Sequence, residues 1–387
     1  MARTASFFRD NHRYVFLGTS ALALVGVFLS MQPRPDMSFL RGAYGLEVVL
    51  YWILVVWLVL SGVALMLKLL HWEDYAEVSP FLKKPLVDCV RWFSYLVWMV
   101  ALVFIIDRVI MGFASAIHAG ITADANPEDD LASAAYMVYN SLDIYRQGII
   151  NTILLAVIGT IFAFIIALLL VFARMQTIDR QDNDFVRFWK VVGRAFAIVY
   201  STVIRGTPMM VQALIIYFFG FGLLKNSGMT VGEIGKVWST FTAGAVIMTL
   251  SSSPYMLEVL RAGIEAVDKG QYEAARSLGL SQWQAMMKVV FPQGIRNAIP
   301  ALSNEFIINI KDTSILSVVG VLDLMFVTTT VTGMYFKTTP VYIVAALIYL
   351  VLTMCANALL SAISKRMGAT AGEGFEVSDL GRSHGDH

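Results

Sequence analysis

Apolar residues along this chain come in runs of about twenty separated by short polar stretches, a spacing that predicts about eight membrane-spanning helices. The runs extend from Tyr14 to Met31, Leu46 to Leu70, Trp92 to His118, Ile149 to Ala173, Pro208 to Leu224, Ser239 to Leu260, Pro300 to Val319 and Pro340 to Ile363. A helix satisfies its own backbone in lipid, so the expected fold class is an all-α integral membrane protein. The apolar stretch from Ala195 to Leu224 would measure about 45 Å as one helix, too long for a single crossing. Arg205-Gly206-Thr207-Pro208 supplies a break, with Thr207 as N-cap and Pro208 at the first helical position. Phe185 to Ile204, carrying Arg187, Lys190 and Arg194, then reads as a helix lying along a membrane interface.

Composition agrees with a membrane as solvent: 57% of residues are hydrophobic, 15% are charged, and the mean hydropathy is +0.67. A net charge of +1 gives no reason to expect a nucleic-acid partner. The placement of charge is more informative. With the N-terminus inside, the inner segments hold 20 Lys/Arg and the outer segments 6, which puts both termini and the loop from Arg261 to Asn297 in the cytoplasm. Ala119 to Arg146, with Asp124, Glu128, Asp129 and Asp130, becomes an external loop. The first run follows Arg3, Arg9 and Arg13, as a signal peptide would, but no small-x-small site follows it, so a retained anchor is expected. Cys89 and Cys355 lack metal or redox spacing and read as packing residues. Asp107-Arg108 are adjacent and so do not face each other on an α-helix; each is expected to find a separate partner or to snorkel, and the pair to dock this helix against the core formed by the later spans. The tail from Gly368 to His387 is rich in Gly and polar residues and reads as disordered.

The cytoplasmic loop carries the sharpest local signals. Asp268 can cap a short helix that Gly279 ends, and Ser281-Gln282-Trp283-Gln284 has the form of a capping box opening a second helix, which Pro292 is expected to stop after Phe291. Two short helices joined by a tight glycine turn suit docking into a groove on a partner. The spacing Glu273-Ala274-Ala275, three residues, Gly279, nine residues, Val289, one residue, Phe291-Pro292 resembles the EAA loop of bacterial ABC-importer permeases. Ile204 to Gln212, Tyr255 to Ile264, Asn304 to Ile307 and Lys311 to Ser314 are further similar to permeases of the histidine, glutamine, glutamate and arginine uptake systems.

The resemblance covers Asp143 to Met367 and implies a five-helix core. The expected division is therefore an extension over residues 1–147 with three helices, a permease core over 148–367 with its coupling loop at 268–292, and the tail at 368–387. It implies a second permease, identical or related, two ATP-hydrolysing subunits, and an external amino-acid-binding protein. ATP and magnesium would bind on the partner ATPase. The chain itself would bind no cofactor or metal and would sit in the bacterial inner membrane. Glu273, Ala274, Ala275, Gly279 and Pro292 would contact the ATPase. The chain has no Gly-x-x-x-x-Gly-Lys-Ser/Thr phosphate loop, in keeping with ATP hydrolysis on another subunit; Gly235-Lys236 is followed by Val237.

Polar residues inside the spans carry the rest. Glu305, Asn309 and Asp312 fall within about 60° of one another on a helix, and Asn304 lies on the side of Lys311. Two readings of Glu305, Asn309, Asn304 and Ser253 stand open: a path recognising the ammonium and carboxylate of an amino acid, or polar contacts between helices. Lys311 and Asp312 read as structural, Glu258 as an i,i+3 partner of Arg261, and Arg205 as a partner of lipid headgroups or of the helix break. Pro254 frees a backbone carbonyl, which serine hydroxyls from Ser251-Ser252-Ser253 can satisfy. An ion-coupled secondary transporter and a membrane scaffold or sensor are the rival functional classes.

Overall fold

The computed structural model describes residues 12–71, 79–82, 84–176, 178 and 182–366. The tail expected to be disordered lies outside them. The chain divides into two compact units, Met1–Tyr139 and Asn140–His387.

In the first unit, helices α1 (His12–Ser30), α2 (Tyr44–Leu70) and α3 (Lys84–Phe104) close around Leu54, Trp57, Val97, Ala101 and Phe104. Polar side chains within this apolar contact find one another: Trp57 Nε1 donates to Ser20 at 3.2 Å, and Trp98 Nε1 to Thr19 at 3.1 Å. A π-helical turn, Ile105–Ile110, joins α3 to α4 (Met111–Thr122), and α5 (Asp130–Asn140) follows. Much of the segment expected as an external loop is therefore helical.

The π turn also corrects the expectation for Asp107 and Arg108. The wider turn buries both neighbours, and they pair with each other. Arg108 also binds Glu47 of α2, which Arg34 approaches at 2.7 Å, while Ser38 donates to both Asp107 oxygens at 2.9 Å. Their ion pairs thus tie this unit to itself, and each buried charge has an opposite partner, as burial in low dielectric requires.

The second unit is organised around one helix. Helices α6 (Leu142–Met175), α7 (Asp184–Arg205), α8 (Met209–Asn226) and α9 (Val231–Val237) lead to α10 (Thr240–Glu265), which is buried along most of its length. Beyond it come α11 (Lys269–Ser277), α12 (Gln282–Ala285), a second π turn (Met286–Val290) and α13 (Phe291–Asp312). A 3-10 segment (Thr313–Val319), α14 (Leu324–Tyr335) and α15 (Thr339–Arg366) complete the described chain. Two apolar clusters flank α10: Leu155, Ala213, Ile247, Met248 and Leu316 on one side of its serines, and Ala163, Ala167, Met256, Leu257 and Leu260 on the other.

Among the described residues six helices are long and apolar enough to cross a membrane, or seven if Gln282–Val319 and Leu324–Tyr335, bent by 52°, count as one broken span. The first expected run is helical too, but its apolar part, Phe16–Ser30, is shorter than the rest. Helix α7 is not among the spanning candidates; it exposes Phe185, Phe188, Trp189 and Phe196 and buries Ala197 and Ser201.

Pro254 removes the donor that would bond the Leu250 carbonyl. Tyr200 of α7 fills the vacancy, its hydroxyl donating to that oxygen at 2.7 Å. Replacing Tyr200 with Phe should therefore destabilise the protein by about 1–3 kcal/mol, the cost of a buried acceptor left short of a donor. Thermal unfolding in detergent checks this; an unshifted midpoint would show that the carbonyl needs no outside donor.

Candidate functional site

The loop between α10 and α13 folds as its capping residues dictate. Asp268 accepts from Gly270 N at 2.6 Å and starts α11. Gly279 has φ +85°, a left-handed conformation that suits glycine, and it ends the helix with Leu280 N bonded to Ala275 O at 3.3 Å and Gly279 N to Arg276 O at 3.0 Å. Ser281 and Gln284 then form a reciprocal capping box that opens α12. Ala275 is buried, whereas Glu273, Ala274 and Gly279 are exposed. Leu278, at the tip, is 84% exposed.

Pro292 does not stop the second helix as expected. The π turn ends at Val290, Pro292 follows two residues later, and the helical path continues to Asp312. Pro300 lies inside α13 rather than at its start. The loop is thus continuous with a membrane helix on its exit side.

Its base is clamped by glycine. A Cβ on Gly263 would lie 2.6 Å from Gly294 O, and one on Gly294 would lie 2.8 Å from Ile264 Cα, so α10 and α13 cross in backbone contact. Trp283 and Phe291 both pack against Phe172 of α6, with ring centroids 6.1 and 4.9 Å away. Between the loop and the end of α6 lies a cavity of about 660 Å³ lined by Phe172, Met175, Glu265, Tyr272, Glu273 and Trp283, among others.

Further into the bundle, the three consecutive serines of α10 each bond a different helix. Ser251 donates to Gln212 of α8 at 2.9 Å, Ser252 to Asn309 of α13 at 2.7 Å, and Ser253 shares a 2.8 Å hydrogen bond with Tyr200 of α7. Asn309 passes the network on by donating to Thr160 of α6 at 2.8 Å. Both Asn309 and Ser253 are fully engaged between helices and buried. Glu305 is half-buried and Asn304 exposed on the same helix; Lys311 is exposed and Asp312 half-buried.

The break between α7 and α8 falls where its length required, at Gly206 to Pro208, but Thr207 does not cap α8. Its hydroxyl donates back to Val203 O at 2.9 Å, and Pro208 takes the N-cap position. Gln212 braces the break instead, its amide donating to Ile204 O at 2.7 Å and to Thr207 O at 2.9 Å. Arg205 points at neither water nor headgroup chemistry alone: it lies 3.4 Å from Glu258 and over the Tyr255 ring. Glu258 makes the expected bond to Arg261 at 3.0 Å, and it also pairs with Arg174 of α6. Gln212, Tyr200, Thr160 and Arg174 carried no functional reading in the sequence. Their signal was that of lone polar groups in or beside apolar runs, without a partner visible at helical spacing. Among the described residues no cluster of His, Cys, Asp or Glu is arranged to hold a metal ion.

Comparisons with known proteins converge on one kind of molecule. A family described as binding-protein-dependent transport system inner membrane component matches residues 188–369. The putative glutamine transport system permease protein GlnP of Rickettsia bellii is 35% identical over 221 residues, covering 57% of this chain and 91% of the relative. The probable glutamine ABC transporter permease protein GlnM of Bacillus subtilis is 34% identical over 231 residues, covering 60% of this chain and 96% of the relative. Among solved structures, a crystal structure of an amino acid ABC transporter with histidines is 35% identical, covers 62% of this chain and 99% of that chain, and has a TM-score of 0.50.

Because α10 and α13 touch through backbone at Gly263, Gly263→Val should force them apart at a cost of about 1–3 kcal/mol. Amide exchange in residues 268–285 should accelerate, since the loop would lose its clamp. Exchange indistinguishable from the unsubstituted protein would show that the loop is held elsewhere.

Proposed function

We propose, from the premise that this chain belongs to the family of inner membrane components of binding-protein-dependent transport systems, that it couples a membrane path for polar amino acids to a separate ATPase through residues 268–292. The chain is a multi-span ABC permease subunit, not an enzyme. Its work is therefore conformational: ATP hydrolysis with magnesium takes place on two partner subunits, and substrate arrives from an external binding protein. A second permease, identical or related, completes the path. Both termini face the cytoplasm, on the side where basic residues concentrate. The relatives named as glutamine permeases support glutamine as the first substrate to test.

The observation that carries this reading is the shape of the loop. Two capped helices project an exposed Glu273 and Leu278 while their base is clamped to α10, α13 and α6. A rigid projection can transmit a push, whereas a floppy loop would absorb it. Glu273, Ala274 and Gly279 are the accessible contacts, Ala275 packs the projection from within, and Pro292 sits where it joins α13. Of the residues considered for the path, Glu305 and Asn304 are free of the interhelical network that occupies Asn309 and Ser253. We assign the first pair to the path and the second to holding the helices. Lys311 and Asp312, at the far end of α13, are assigned to structure.

The test is uptake by proteoliposomes holding the assembled transporter, with the binding protein outside and ATP inside the cytoplasmic compartment. Uptake of glutamine should require ATP, and Glu273→Ala should lower it about tenfold or more while ATP hydrolysis continues. Uptake driven by an ion gradient without ATP would make the chain a secondary transporter. Uptake unaltered by Glu273→Ala would remove the loop from the coupling. Glu305→Ala should change the order of preference among polar amino acids, measured by competition, without loss of assembly.

A further inference from the structure

The carboxylate of Glu258 gathers guanidinium groups from three helices. Arg174 at the end of α6 pairs with one oxygen, and Arg205 at the end of α7 lies 3.4 Å from the same oxygen. Arg261 of α10 donates to the other at 3.0 Å, and Ser201 adds a hydrogen bond at 3.3 Å. Arg261 also holds Glu265 at 2.5 Å, and Glu265 lines the cavity beneath the coupling loop. At the opposite end of the chain of charges, Arg205 lies over the Tyr255 ring at 5.6 Å.

Three arginines share two carboxylates, so their positions are interdependent: moving any one changes the field on the others. Arg205 is the most loosely held. Its distance to Glu258 is the longest of the three, and its side chain is 44% exposed against 23% for Arg174 and 31% for Arg261. It also stands immediately before the break at Gly206 to Pro208, where the helical ladder is interrupted and the backbone is braced by the Gln212 side chain.

We propose that Glu258 and Arg205 are positioning residues for transport, through which the position of the coupling loop sets the geometry of the helix break. The proposal rests on the reading of the chain as an ATP-driven permease. When the loop shifts, Arg261 and Glu265 shift with α10. Glu258 is then redistributed among its arginines, and Arg205 is released or drawn in.

The experiment measures ATP hydrolysis and amino-acid uptake together in the reconstituted transporter carrying the native chain, Arg205→Gln, Arg205→Lys or Glu258→Gln. Arg205→Gln should lower uptake about tenfold while hydrolysis falls less than about twofold, and Arg205→Lys, which keeps the charge, should retain about a third of native uptake or more. Glu258→Gln should show the same split; if it fails to assemble, the two Arg205 variants decide. Parallel loss of uptake and hydrolysis in Arg205→Gln, loss of its assembly, or native uptake would each overturn the proposal. Absence of ATP-dependent uptake in the native transporter would instead contradict the proposed function, and that arm is read separately.

Discussion

A band of hydroxyls and amides across the middle of α10 sets the geometry of the whole permease core. Lipid offers no hydrogen bonds, and Ser251, Ser252 and Ser253 each find a partner on a different neighbouring helix. The apolar clusters above and below this band hold their neighbours through the fit of their shapes. Directed hydrogen bonds add a requirement of angle and partner to that fit. The register of α7, α8 and α13 against α10, and of α6 through Thr160, follows from the band.

That constraint explains how a break and a proline can stand in the core. Pro254 would leave the Leu250 carbonyl bare, and the residue that covers it, Tyr200, is the same residue that bonds Ser253. The gap between α7 and α8 would leave the Ile204 carbonyl open, and the residue that closes it, Gln212, is the one that receives Ser251. The irregular backbone is therefore held by the same groups that fix helix register. At the end of α10, the glycine crossing at Gly263 and Gly294 carries this fixed register out to the loop that follows it. The helical path runs without a gap from α12 through the π turn to Asp312, so the loop is joined to α13 by continuous helix.

Much of this was legible in the sequence where the determinant was local. Asp268, Gly279 and the Ser281–Gln284 box act within one turn of themselves, and the break at Gly206 to Pro208 followed from length alone. Pro292 was misread because a proline within a helical path and a proline that ends one look alike in sequence, and the π turn before it leaves no compositional trace. Asp107 and Arg108 were separated on paper by α-helical geometry that the chain abandons at that point. Thr207 has the chemistry of a cap but bonds backward, since Gln212 five residues on already serves the gap. The direction each serine faces depends on helices up to 57 residues distant, and no periodicity encodes that.

The central claim is that the 268–292 loop meets the ATPase on the cytoplasmic side, and photo-crosslinking tests it most directly. A crosslinking residue placed at Leu278, 84% exposed at the tip of the loop, is compared in whole cells with one at Phe336, 91% exposed after α14. The account predicts capture of the ATP-hydrolysing subunit from position 278 and none from position 336. Capture from 336 but not from 278 would invert the topology and contradict the coupling on which the rest is built.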